Sequence, residues 1–63
     1  MKLVIEIDMQ GEAFEGKEGT ECARLLLYTA KYLPEWDGCF NQIGPTNLRD
    51  LNGNPCGSVR VEE

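Results

Sequence analysis

The chain has 63 residues, with 11 acidic and 6 basic side chains, no histidine and a net charge of −5. That length makes a single domain over residues 1–63, and such a domain buries only about 60% of the surface its unfolded chain exposes. A core worth about 3–5 kcal/mol leaves little room for a deep catalytic pocket, and the acidic balance argues against direct contact with nucleic acid or anionic lipid.

Residues 2–8 alternate, with Leu3, Ile5 and Ile7 on one face and Lys2, Val4, Glu6 and Asp8 on the other. That pattern predicts a half-buried strand. Residues 9–19 are a connector broken by Gly11, Gly16 and Gly19, with Phe14 expected to fold back onto the core. A glycine-rich loop before a helix can cradle phosphate. Here Glu12, Glu15, Glu18 and Glu21 stand between the glycines and would repel it.

Residues 20–33 predict the one helix, with Thr20 as N-cap and Pro34 as its stop. Cys22, Leu25, Leu26, Thr29 and Leu33 fall at the spacing of a core stripe. Glu21, Arg24 and Lys31 mark the solvent side, while Leu27 and Tyr28 flank the stripe. Residues 35–46 form a second connector whose apolar content is Trp36, Phe40 and Ile43.

Residues 47–51 and 56–62 predict a hairpin about Asn52-Gly53, two residues suited to the positive φ angles of a type I′ turn. Leu48, Val59 and Val61 are its core-facing set, and Gly57 marks a bulge. The predicted fold class is therefore α+β, in the order β-α-β-β. One helix packs on a small three-stranded sheet that ends in a C-terminal hairpin. If strands one and two pair in parallel, the crossover between them is right-handed. The sheet face away from the helix must be polar or meet another molecule.

The chain resembles a group of short phage- and prophage-encoded proteins at residues 2–8, 13–15, 23–26 and 48–62. The last stretch, Leu-Arg-Asp-Leu-Asn-Gly-Asn-Pro-Cys-Gly-Ser-Val-Arg-Val-Glu, is the most specific part of the match. About half the chain is covered, and the connector around Trp36 to Phe40 is not. Cys56 departs from the aliphatic residue the resemblance implies. The resemblance implies an accessory protein in the cytoplasm of a bacterial host. It carries no functional residues over.

Candidate sites are few. Trp36 and Phe40 lie beside Glu35 and Asp37, an aromatic anchor with an acidic rim that suits a basic partner. The same two rings would also serve as a lid over an open core. Asp50 has no histidine to work with, and bracing the turn is its simpler role. Cys22, Cys39 and Cys56 form no zinc-ligand pattern, and reduced thiols suit them. No cofactor or metal ligand set can be assembled. No apolar run approaches the roughly 20 residues of a membrane span, and no signal-peptide pattern precedes the first strand.

These readings favour a binding protein over an enzyme. Glu12, Glu15, Glu18, Glu35 and Asp37 would supply the charge, with Trp36 and Phe40 as apolar contacts. The partner would be a host protein, such as a nucleic-acid-binding defence complex blocked by an anti-CRISPR-type factor. The alternative is a homo-oligomeric scaffold, a homodimer being its simplest form.

Overall fold

The computed structural model describes residues 1–42 and 44–63; Ile43, counted above among the apolar residues of the second connector, lies outside them. The chain runs β1 (Lys2–Ile7), α1 (Glu18–Tyr32), β2 (Thr46–Arg49) and β3 (Pro55–Glu62). Short 3₁₀ turns occupy Glu12–Phe14, Leu33–Trp36 and Phe40–Gln42. The fold is the expected α+β one, a helix with a three-stranded sheet.

The sheet order is β1-β3-β2, and both pairings are antiparallel. β1 and β2 therefore point the same way without touching. The parallel pair on which the crossover expectation depended does not form, because β3 lies between them and pairs with both.

Residues directly opposite in the register share a face. Leu3 faces Val61, Ile5 faces Val59 and Ile7 faces Gly57, while Leu48 faces Gly57 from the other side. This apolar face lies under α1. Phe14, Leu25, Leu48, Cys56 and Val59 form the buried core, with Ile5, Ile7, Ala13, Cys22 and Trp36 packed on it. Phe14 does fold back, and it is almost completely buried. Leu3, expected inside, is 41% exposed at the sheet's end.

The opposite face carries Lys2, Val4, Glu6, Asn47, Ser58, Arg60 and Glu62, and it is polar. Arg60 ties it together, with Nη2 donating to Glu6 and Nε donating to Glu62 at 3.0 Å.

α1 begins earlier than its sequence suggests. Lys17 is the N-cap and makes no side-chain cap bond, so Thr20 sits inside the first turn. Gly16, at φ +67°, turns the chain just before it. Glu18 and Glu21 in that first turn suit the helix dipole. The buried side of α1 is Glu21, Leu25 and Thr29. Thr29 satisfies its hydroxyl by donating to the Leu25 carbonyl at 2.9 Å. Leu26, placed on the core stripe by spacing, is 46% exposed, and Leu33 is only half-buried. Three strands are too narrow a sheet to cover so wide a stripe.

The hairpin is wound differently from a type I′ turn. No non-glycine residue described has positive φ, so Asn52 does not adopt the left-handed conformation; Gly53 does, at +83°. Asp50 is the reason. Its Oδ1 accepts the backbone N–H groups of Asn52 at 2.9 Å and Asn54 at 3.0 Å. Its carbonyl accepts the Gly53 N–H at 2.9 Å, and its own N–H donates to the Asn54 carbonyl at 2.9 Å. Leu51, predicted to end a strand, lies in this loop and is exposed. Leu48 pairs with Gly57 and Arg49 with Pro55, so the register shifts there and Cys56 is the extra residue. The bulge thus falls one residue before Gly57. Gly57 is needed for another reason: a Cβ there would stand 2.0 Å from the Glu6 carbonyl oxygen.

Candidate functional site

Pro34 does not stop the winding that α1 begins. The chain continues as the 3₁₀ turn Leu33–Trp36, with Pro34 near its start. Proline is tolerated there because the first N–H groups of a turn have no internal partner to lose. Tyr28, Tyr32 and Trp36 then follow at i, i+4 and i+8 and share one side of the continuous winding.

That side overhangs β2, an edge strand of the sheet. Tyr28, Tyr32, Trp36, Thr46, Asn47 and Leu48 line a groove of about 250 Å³ between them. The two tyrosine rings are 5.0 Å apart and tilted by 58°. The Tyr32 hydroxyl donates to that of Tyr28 at 3.3 Å. That bond is the main cause holding the Tyr32 phenol above its ordinary pKa, with the charge of Tyr28, partial burial and nearby Glu35 adding to it. Phe40 meets Trp36 edge-to-face at 5.9 Å, and the Cys39 thiol donates to the Trp36 carbonyl at 3.3 Å.

Past Tyr28 the groove changes character. A second hollow, about 190 Å³, is lined by Arg24, Leu25, Tyr28, Asn47, Leu48 and Arg49. Arg24 is held by Glu21 through two bonds, Nε to Oε1 at 2.8 Å and Nη2 to Oε2 at 2.7 Å. Glu21 Oε2 also accepts the Leu51 N–H at 3.0 Å. Glu21 is therefore buried, at 2% exposure, and not on the solvent side as its position suggested. Arg24 lowers the pKa of its carboxyl by hydrogen bonding, against the opposing effect of burial. This carboxylate pins α1 to the hairpin loop.

The carboxylates singled out from sequence fall into two sets. Glu12, Glu15 and Glu18 are exposed at the start of α1. Glu35 and Asp37 are exposed just beyond its other end, where Trp36 and Phe40 are half-buried. The helix between has 15 residues, a length of about 22 Å. None of these five carboxylates makes an ion pair among the described residues. Trp36 packs on the core and also lines the groove. Tyr28 and Tyr32 lie outside the set of site residues expected from the sequence. Their spacing to Trp36 carries the signal, which the 3₁₀ turn after α1 makes visible.

All three cysteines are free, and Cys56 is buried. Desolvation raises its thiol pKa, with the carboxylates of Asp50 and Glu21 adding to the effect. Among the described residues no group of three His, Cys, Asp or Glu is placed to hold a metal ion. Nor is any helix there long and apolar enough to cross a membrane. A scan against protein-family models gives no match, and comparison with the curated proteins and with solved structures gives none either.

Proposed function

We propose that the chain is a binding protein that lays its acidic ends on a basic surface of a host protein. It would act as a phage- or prophage-encoded inhibitor of the anti-CRISPR or anti-defence kind, occupying a place meant for nucleic acid. One observation carries this reading. Glu12, Glu15, Glu18, Glu35 and Asp37 are exposed and unpaired among the described residues, whereas Arg24 and Arg60 are tied up in internal ion pairs. Lys2, Lys17 and Lys31 are exposed as well, so the surface keeps an acidic excess rather than a purely acidic face. Such a surface steers a basic partner and speeds its association.

The test is capture from a bacterial lysate on the immobilised chain, compared between about 50 and 200 mM salt, a range over which charge-driven binding falls steeply. Duplex DNA should displace what is captured. Replacing Glu12, Glu15 and Glu18 together by glutamine should weaken the capture. A partner retained equally at both salt levels, and indifferent to DNA, would overturn the reading.

A specific observation favours a second reading, the homo-oligomer. Ala23, Leu26, Leu27 and Ala30 are exposed on the outer side of α1, Leu27 at 68%. Apolar helix faces of this kind pack against each other when a second copy covers them. Native mass spectrometry distinguishes a 7.1 kDa chain from its dimer.

A further inference from the structure

We infer that the groove under Tyr28, Tyr32 and Trp36 is a pocket for one cationic side chain, arginine or lysine, supplied by the basic partner. The inference rests on the acidic-surface reading above and gives that surface its specific anchor.

Size limits the occupant first. The groove holds about 250 Å³, less than the roughly 300–1,000 Å³ of pockets built for small molecules and cofactors. It suits a single long side chain.

Chemistry selects the kind of side chain. Three of its walls are aromatic, and aromatic faces attract guanidinium and ammonium groups through the ring quadrupole. Tyr28 and Tyr32 are 52% and 43% exposed, so neither ring is used up by the core. Leu48 gives the floor an apolar surface for an aliphatic stem, and Thr46, on the same sheet face, offers a hydroxyl oxygen to an N–H donor.

Charge sets direction. Glu35 belongs to the same turn as Trp36 and lies near enough to act on Tyr32. At the far end Arg49, which has no carboxylate partner among the described residues, lines the adjoining hollow and would repel a cation, while Arg24 there is already paired with Glu21. A positive head group is therefore drawn to the Trp36 end and turned away from the other.

Trp36 is the chain's one tryptophan, so its fluorescence reports on the pocket directly. The probes are the tripeptide acetyl-Gly-Arg-Gly-amide and its counterpart with citrulline, which keeps the shape and loses the charge. The arginine peptide should shift Trp36 emission saturably, with the citrulline peptide about fivefold weaker or worse. Tyr32→Leu keeps an apolar side chain and should cost a similar factor of about five; Glu35→Gln should weaken binding without disturbing the fold. Circular dichroism checks that each variant is folded, and Tyr28→Leu is a second substitution at an exposed ring.

Equal binding of the two peptides would make the groove an apolar slot and overturn the inference, as would no binding of either. If the peptides fail while salt-sensitive capture persists, the pocket is wrong and the acidic surface stands. If the arginine peptide binds while capture ignores salt, the pocket stands and the acidic surface falls.

Discussion

At Gly57 the absence of a side chain decides whether β1 and β3 can pair. Its ideal Cβ would lie 2.0 Å from the Glu6 carbonyl oxygen and 3.1 Å from the Ile7 Cα, both backbone atoms that cannot swing aside. Gly57→Ala must therefore spread the two strands, and overpacking of this kind costs about 1–3 kcal/mol. Against a core worth about 3–5 kcal/mol, that leaves the fold marginal. Urea unfolding should show a large drop in midpoint. A midpoint like that of the parent would mean the strands do not approach so closely. Asp50 works through its oxygen atoms. Its Oδ1 takes two backbone N–H groups and winds the loop. Those donors belong to exposed residues and can turn to water, so Asp50→Ala should cost only about 1 kcal/mol. Asp50→Asn retains an amide oxygen in that place and should recover most of the loss in the same unfolding experiment. An asparagine variant as weak as the alanine one would assign the effect to charge.

Between elements, the tie that sequence periodicity did not reveal is Glu21. Its carboxylate accepts from Arg24 on the same helix and from the Leu51 N–H on the hairpin loop. An unfolded glutamate titrates near about 4.3, and in the fold Arg24 lowers that value. The folded chain therefore binds this proton less readily than the unfolded chain. The stabilisation is full above the ordinary glutamate pKa and is lost as pH falls through the lowered one. Thermal melts from pH 7 to pH 3 should show the parent losing stability faster than Glu21→Gln, so that the gap between them narrows in acid. Parallel curves would sink the assignment. Much of the architecture was legible in the sequence, and the exceptions share a cause. The alternation of Leu3, Ile5 and Ile7, the hydrophobic spacing through Leu25 and Thr29, and the Asn52-Gly53 turn all follow local rules, and they yielded the β-α-β-β order. Local rules say nothing of strand order, so β3 in the centre was not visible. They place a glutamate at a helix start in solvent, and a half-exposed arginine together with the Leu51 N–H reverses that. They end a helix at Pro34, and a change from α to 3₁₀ winding carries it on. α1 does end at Tyr32, just before Pro34, and it is the 3₁₀ turn Leu33–Trp36 that brings Trp36 into one groove with Tyr28 and Tyr32. The acidic residues were easy to find, but only the length of α1 shows that Glu12 and Glu35 belong to different patches.

For the molecule as a whole, salt separates the two functional readings by sign. Each chain carries −5, so two copies brought together repel one another. A basic surface brought to the same chain is attracted. Added salt shortens the Debye length from about 30 Å at 0.01 M to about 10 Å at 0.1 M, weakening both effects. Self-association through Leu26, Leu27 and their small neighbours Ala23 and Ala30 should therefore strengthen as salt rises. Binding of a basic partner to Glu12, Glu15, Glu18, Glu35 and Asp37 should weaken. Apolar burial does not blur the contrast, because it does not reverse sign over this range of salt. Sedimentation velocity of the chain alone, paired with the capture experiment, reads both trends. The proposed function expects one 7.1 kDa species at low and high salt and a captured partner that is lost as salt increases. A species that doubles in mass at high salt, and reverts when Leu27→Glu adds charge to the outer face of α1, would move the assignment to the oligomer. The carboxylates would then act chiefly to hold copies of the chain apart until that face brings them together.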